Sequence, residues 1–161
     1  MKLRPPIGIL GGSFDPIHHG HLRSAIDVCT TLDLQRIEIL PTYLSPHKQQ
    51  NHASNEHRLA MLQLATAHCP ELAIDQQEII SHRRSFTVET LEKLRQHHPN
   101  QPLCFLMGMD SLISFTSWHR WQDILSLCHL VVSVRPGWKE PKTGEIASLL
   151  LERQAKDSAE L

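Results

Sequence analysis

Apolar residues in this chain follow two alternating patterns. Short continuous apolar runs, typical of strands buried on both faces, alternate with stretches in which apolar residues recur every three or four positions, as on one face of a helix. The predicted strands are 7–10, 36–40, 72–80, 103–107 and 129–134. The predicted helices are 21–32, 56–69, 87–98 and 121–128, and a further amphipathic stretch spans 144–158.

This alternation predicts an α/β fold. Parallel strands joined by helices form a sheet with helices packed on both faces, a Rossmann-like, doubly wound arrangement in a single domain. We expect 1–137 to form this α/β domain and 138–161 to form a tail of the same domain, in part helical. In such sheets, ligands bind beyond the carboxyl ends of the strands, near the point where the strand order reverses.

Two of the helices carry capping signals. Ser54 with Asn55 precedes one of them, and the hydroxyl of Ser85 or Thr87 can accept a hydrogen bond from the first N–H groups of the other. The apolar stripe of the first helix consists of Leu59, Leu62, Leu64 and Ala65. The apolar stripe of the second consists of Val88, Leu91 and Leu94.

Composition places the chain among globular proteins that have their own core. It has 161 residues, of which 40% are apolar and 20% charged, and this length supports one domain. The formal net charge of −1 provides no overall attraction to nucleic acid or to an anionic membrane, so neither is expected as a partner. The chain shows neither the roughly 20 apolar residues that a membrane span needs nor a signal-peptide pattern.

The cysteines indicate the compartment. Cys29, Cys69, Cys104 and Cys128 are scattered and form no C-x-x-C pair. Cys29 and Cys104 lie in apolar patterns typical of buried, reduced thiols. We therefore expect a cytoplasmic protein.

The segment 11–21, GGSFDPIHHGH, follows the first strand and leads into the first helix. A turn of small residues at that point exposes backbone N–H groups at the positive end of a helix, which favours phosphate oxygens. His18 and His21 flank Gly20, so both imidazoles can reach the same phosphate. We predict these two histidines as catalytic residues. The predicted phosphate-binding residues of the turn are Gly11, Gly12, Ser13, Phe14 and Asp15.

Other interpretations of this segment carry less weight. It contains neither the G-x-G-x-x-G dinucleotide fingerprint nor the G-K-[ST] of a Walker loop. An ordinary strand-to-helix turn would not require histidines at this spacing. His18, His19 and His21 together suggest a metal site, but a structural zinc site needs compact Cys/His pairs, which the sequence does not show.

Two basic residues stand just beyond predicted strands. Lys48 ends the segment PTYLSPHK, which is typical either of a solvated loop or of a loop that places a point charge on a phosphate. Arg135 precedes Pro136 and Gly137, which encode a turn, and its guanidinium can bind a phosphomonoester through two hydrogen bonds. We predict a phosphate contact for each.

Together these motifs resemble those of nucleotidyltransferases. The H-x-G-H at 18–21 is similar to the signature of nucleotidyltransferases and class I aminoacyl-tRNA synthetases, and the whole GGSFDPIHHGH string resembles that of bacterial nicotinate-mononucleotide adenylyltransferases. PTYLSPHK, SFTVETL at 85–91 and the G-x-D at 108–110, followed by Trp118, are similar to further elements of that family. The resemblance covers 7–137.

The resemblance implies transfer of AMP from ATP to nicotinate mononucleotide, giving deamido-NAD and pyrophosphate in NAD biosynthesis. The phosphate of the substrate is then the nucleophile, and His18 and His21 would stabilise the charge that develops on the ATP phosphates. Mg²⁺ would accompany ATP without a dedicated protein site, and a homo-oligomer is compatible with the family. The implied ATP contacts are the turn residues named above with Lys48, Gly108 and Asp110. The implied contacts with nicotinate mononucleotide are Thr87, Trp118 and Arg135.

The sequence departs from the family's pattern in two places. His119 stands where relatives often have tyrosine, and the sequence ends at Leu161 without the I-S-[SA]-T-x-I-R segment that relatives place on the triphosphate. The C-terminal ATP-binding segment is therefore expected to be absent and ATP binding to be weak. Two rival interpretations follow. One is a pantetheine-phosphate or glycerol-phosphate nucleotidyltransferase, which SFTVETL and Trp118 disfavour, and the other is a non-catalytic nucleotide-binding module.

Overall fold

A parallel sheet of five strands forms the centre of the molecule. The computed structural model describes residues 4–44, 50–134 and 136–155. The strand order is β3-β2-β1-β4-β5, and every neighbouring pair is parallel. The strands are β1 Ile7–Gly12, β2 Arg36–Pro41, β3 Leu72–Ile74, β4 Leu103–Gly108 and β5 His129–Ser133.

Helices connect these strands, as the alternation of patterns predicts. They are α1 His19–Thr31, α2 Asn55–Thr66, α3 Gln77–Ile80, α4 Thr87–His97, α5 Met109–Ile113, α6 Trp121–Leu127 and α7 Glu145–Arg153, with a 3-10 turn at Phe115–Ser117. Ser54 caps α2 by accepting a hydrogen bond from the N–H of His57 at 3.2 Å, as predicted. The capping prediction for α4 is wrong. Phe86 is the N-cap residue, no side chain caps the helix, and Thr87 is its first residue.

The sheet is buried on both faces. Along β4, Leu103 and Phe105 belong to one hydrophobic cluster, which includes Val88 and Leu91 of α4. Cys104 and Leu106 point the other way, into a cluster that includes residues of α1 and α2. Alternate residues of a strand face opposite sides, so a continuous apolar run requires cover on both faces. The predicted doubly wound α/β fold is confirmed.

The strand order reverses between β1 and β4. From β1 the chain builds outward through β2 to β3, and it then returns to place β4 on the other side of β1. Loops that leave β1 and β4 therefore diverge to opposite faces and open a crevice at the carboxyl end of the sheet. Gly12 ends β1 and Gly108 ends β4 at this crevice.

Two elements differ from the sequence prediction. The strand expected over 72–80 ends at Ile74, because the carboxylate of Asp75 accepts a hydrogen bond from the N–H of Gln77 at 2.9 Å and starts the short helix α3. In α2 the predicted stripe is partly wrong. Leu62 is fully buried, but Leu64 is 79% exposed, and Arg58 occupies the buried face instead.

Candidate active site

A cavity of about 300 Å³ lies beside the carboxyl ends of β1, β2 and β4. Its apolar wall comprises Leu40, Leu91, Phe105 and Trp118, and its polar groups include the start of α4. Five of the predicted site residues line it, namely Gly11, Gly12, Ser13, Thr87 and Trp118. Concave sites with an apolar wall and a few polar groups are typical ligand pockets.

The turn after β1 is anchored by a buried aromatic ring. Phe14 adopts a positive φ of 44° and its residue is only 3% exposed. A Cβ built on Gly12 would lie 3.2 Å from this ring, so a larger residue would press on the anchor. The side chain of Phe14 is therefore part of the core, and only its backbone is available to a ligand.

Asp15 ties this turn to the segment that precedes α2. Its two carboxylate oxygens accept hydrogen bonds from the N–H groups of His52 at 2.6 Å and Ala53 at 3.0 Å. Backbone donors that converge on one carboxylate hold two distant segments at a set separation. These two bonds attach the turn to residues 52–53, and the contact of Asp15 with ATP stays a prediction.

His18 and His21 stack on each other at the start of α1. Their ring centroids are 3.7 Å apart, and the N–H of His18 donates to Nδ1 of His21 at 3.3 Å. A neutral His21 with Nδ1 as acceptor carries its proton on Nε2. A Cβ on Gly20 would lie 3.0 Å from Nδ1 of His18, so only glycine leaves enough room for this imidazole. Neither histidine lines the cavity.

Arg58, which sequence reasoning missed, joins three segments beneath the site. Its guanidinium donates to the carbonyl oxygens of Ser13 and Thr42 and to Oδ1 of Asn55, with the last two at 2.7 and 2.6 Å. The residue is fully buried, and burial lowers the pKa of its guanidinium while Asp15 opposes that shift. A basic residue on an apolar helical stripe was the signal available in the sequence.

Glu78, also missed, is a carboxyl group in the wall of the cavity. It is 6% exposed, and its Oε1 accepts a hydrogen bond from Oγ1 of Thr90 at 2.6 Å. Burial raises the pKa of Glu78 to about 7, against the effect of the Thr90 hydroxyl, which favours the ionised form. A large fraction of these carboxyl groups is thus protonated near neutral pH.

The pKa of Glu78 makes the stability of the protein depend on pH. The folded pKa lies above the ordinary glutamate value of 4.5, so the unfolded chain loses this proton first and stability falls as pH rises from about 4.5 to about 7. We expect a Glu78→Gln variant to lack this loss, which is on the order of 3 kcal/mol. Urea unfolding at a series of pH values measures it. Glu145→Gln, at an exposed residue, should show the same pH dependence as the unsubstituted protein. The expectation would be contradicted if the free energy of unfolding of Glu78→Gln fell with pH as much as that of the unsubstituted protein.

Trp118 and Thr87 both line the cavity. The Trp118 ring meets Phe105 and Phe115 edge to face, at centroid distances of 6.1 and 5.5 Å, so one side is packed and the residue still lines the cavity. Trp118 therefore packs against core residues and lines the cavity, and its contact with nicotinate mononucleotide stays a prediction. His119 lines the cavity too, with its ring 4.5 Å from that of Phe86.

The remaining predicted residues lie outside the cavity or outside the described residues. Gly108 is the N-cap of α5, and a Cβ there would overlap Oδ1 of Asp110. Asp110 is exposed, and neither residue lines the cavity. Lys48 and Arg135 fall in the parts of the chain that the structure does not describe, so their roles stay predictions.

Within residues 4–44, 50–134 and 136–155, no group of three or more His, Cys, Asp and Glu side chains is placed to hold a metal ion. Over the same part of the chain, no helix has both the length and the apolar character needed to span a bilayer.

Comparisons with known proteins agree with this geometry. A family model described as cytidylyltransferase-like matches residues 9–154. A protein of Aeromonas hydrophila named as a nicotinate-nucleotide adenylyltransferase is 50% identical over 159 residues, which cover 99% of this chain and 74% of the relative. A protein of Psychromonas ingrahamii with the same name is 46% identical over 155 residues, 96% of this chain and 72% of the relative.

The fold is shared with solved structures as well. Nicotinic acid mononucleotide adenylyltransferase of Plasmodium falciparum, in complex with NaAD, superposes with a TM-score of 0.74 at 21% identity, over 86% of this chain and 69% of that chain. The match of this family model over residues 9–154 places the chain in the class of cytidylyltransferase-like proteins, and the parallel sheet with a histidine-bearing turn after β1 agrees with that class. Within that class, the chain belongs to the nicotinate-nucleotide adenylyltransferase family, as its motifs predict.

Proposed function

We propose that the chain transfers AMP from ATP to nicotinate mononucleotide and releases deamido-NAD and pyrophosphate. The observation that carries the proposal is that two parts of one site adjoin each other where the strand order reverses. The phosphate-type turn after β1 runs directly into the wall of a cavity that has an aromatic side and a helix N-terminus. One half suits a triphosphate and the other suits a planar anionic ring.

The nicotinate ring would occupy the cavity. Trp118 would stack on the ring, and the first N–H groups of α4, beginning at Thr87, would favour the negative charge of the ring carboxylate. In this proposal Arg135 binds the phosphate of the mononucleotide.

The triphosphate would lie along the turn and the start of α1. An oxygen of the mononucleotide phosphate attacks the α-phosphorus of ATP, a new P–O–P bond forms, and the bond from the α-phosphorus to the pyrophosphate breaks. His18 and His21 would donate hydrogen bonds to the oxygens on which charge develops, and Lys48 would neutralise phosphate charge. The backbone of residues 11–14 would contact the phosphates, and Gly108 with Asp110 the ribose.

Mg²⁺ would enter with ATP. This ion prefers phosphate oxygens and water, and it shields the charge of the phosphates during transfer. We also propose a cytoplasmic location, supported by four free cysteines, of which Cys29, Cys104 and Cys128 are buried.

A pyrophosphate-release assay tests the function. We expect release only when ATP, Mg²⁺ and nicotinate mononucleotide are all present, with deamido-NAD formed in equal amount. Pantetheine phosphate and glycerol phosphate serve as the alternative acceptors. Binding of both substrates without pyrophosphate release would instead indicate a nucleotide-binding module.

A Trp118→Ala variant should lose affinity for nicotinate mononucleotide more than for ATP. Aromatic stacking contributes about 0.5–1.5 kcal/mol beyond burial, which corresponds to a rise in KM of roughly several-fold. Separate KM values for the two substrates measure the split. Trp138→Ala removes a half-exposed tryptophan that does not line the cavity and serves as the matched control. A loss confined to ATP would place Trp118 on the adenine side or in the core alone.

A further inference from the structure

The cavity that we assign to the pyridine ring contains a carboxyl group that the reaction does not require. Glu78 is among its lining residues, together with Thr87, Ser85 and Trp118. An ionised carboxylate here would repel the ring carboxylate that the α4 N-terminus attracts. The presence of a buried glutamate in a pocket that binds an anion therefore requires an explanation.

The hydrogen bond with Thr90 determines which oxygen of Glu78 is available. Oγ1 of Thr90 donates to Oε1 at 2.6 Å, and the Thr90 residue is itself buried. When Glu78 is protonated with Oε1 so engaged, the acid proton resides on Oε2. A neutral carboxyl group can then donate one hydrogen bond, whereas the ionised group only accepts.

We propose that Glu78 is a specificity-determining residue that selects between the acid and amide forms of the pyridine mononucleotide. Protonated Glu78 donates a hydrogen bond to the nicotinate carboxylate. Ionised Glu78 repels that carboxylate and accepts a hydrogen bond from a carboxamide, so it favours nicotinamide mononucleotide. This inference rests on the proposed function, because it places the pyridine ring in the cavity.

The charged surroundings of Glu78 are of mixed sign. Asp75, just before α3, and Glu89 on α4 both raise the pKa of Glu78, and Lys93 on α4 lowers it, all less than burial does. His119 is a further titratable group in the cavity wall. A protonated His119 would also favour the acid substrate, so the experiment must separate the two groups.

Selectivity is then expected to depend on pH. We expect the ratio of kcat/KM for nicotinate mononucleotide to kcat/KM for nicotinamide mononucleotide to fall as pH rises above about 7, by up to about tenfold for each pH unit. In Glu78→Gln, whose amide always offers a donor, the ratio should stay at its low-pH value. Glu145→Gln, at an exposed residue, should keep the original profile. A profile that persists in Glu78→Gln and disappears in His119→Asn would overturn the inference.

A pair of variants at Thr90 tests the same point without changing the glutamate. Thr90→Val removes the donor that stabilises the ionised form, so the midpoint of the pH profile should move to higher pH. Thr90→Ser keeps the hydroxyl and should keep the midpoint. Equal midpoints in these two variants would contradict the role of Glu78, even where Glu78→Gln fails to fold.

Calorimetry provides a readout that is independent of turnover. At about pH 8, nicotinate mononucleotide should bind with uptake of close to one more proton in the unsubstituted protein than in Glu78→Gln, as shown by titrations in buffers of different ionisation enthalpy. Failure of nicotinate mononucleotide to bind would refute the proposed function. Binding of nicotinate mononucleotide with the same proton uptake in both proteins would refute the inference alone.

Discussion

His18→Ala and His21→Ala should each lower kcat by about 10²–10³-fold, the magnitude expected when one preorganised donor to the transition state is removed. The two rings stack at the start of a helix of 13 residues, beside the turn that we assign to the triphosphate. His21 has a further structural contact, since its Nδ1 accepts from the backbone of His18. Single-turnover formation of deamido-NAD measures the effect on the chemical step.

The neighbouring His19 provides the matched control. It is the exposed first residue of α1, with the same side chain and nearly the same position. His19→Ala should keep kcat within about threefold, since substitution of an exposed residue that makes no specific contact usually changes little. Normal kcat in both His18→Ala and His21→Ala would remove these imidazoles from the mechanism and leave transfer to the backbone of the turn and the cations.

Arg58→Met should destabilise the protein by more than about 3 kcal/mol. The substitution removes hydrogen bonds from a charged group to the carbonyl oxygens of Ser13 and Thr42 and to Oδ1 of Asn55, and a hydrogen bond to a charged group contributes about 1.5–3 kcal/mol. The free energy of unfolding in urea, extrapolated to water with an unchanged slope, measures the loss.

Two variants bracket this result. Arg58→Lys keeps the positive charge but cannot span three segments with one ammonium, so an intermediate loss is expected. Arg23→Met removes an arginine whose side chain is 84% exposed and whose contact with Asp27 is 3.6 Å, and it should change stability by less than about 0.5 kcal/mol. An Arg58→Met protein as stable as Arg23→Met would show that water replaces the guanidinium at all three acceptors.

Most of the fold could be predicted because its elements are local. The β4 run from Leu103 to Met107 is apolar at every position, and only a strand covered on both faces suits that pattern. The prediction was wrong at 72–80, where the side chain of Asp75 turns the chain into α3 within two residues. A single side-chain hydrogen bond of this kind leaves a weaker signal in the sequence than the apolar residues around it.

The sequence predicted those parts of the candidate site that consist of consecutive residues. The turn at 11–15 consists mainly of small residues between a predicted strand and a predicted helix, so it was found from the residues themselves. The start of α4 at Thr87 was found by resemblance to the family, since its predicted side-chain cap is wrong. Trp118 was found by its resemblance to the family, and its distances to Phe105 and Phe115 show why it serves the core and the cavity at once.

The sequence by itself determined the order of strands and helices, the phosphate-type turn with His18 and His21, and the family, because each of these depends on residues close together in the chain. Only the tertiary structure decided that Arg58 joins the turn to Thr42, and that Glu78 stands in the cavity wall with Thr90. Arg58 and Ser13 are 45 positions apart, and Glu78 and Thr90 are 12 apart. Contacts over such separations depend on how α2, α3 and α4 pack on the sheet, and burial then sets the pKa of Glu78 and the role of Arg58.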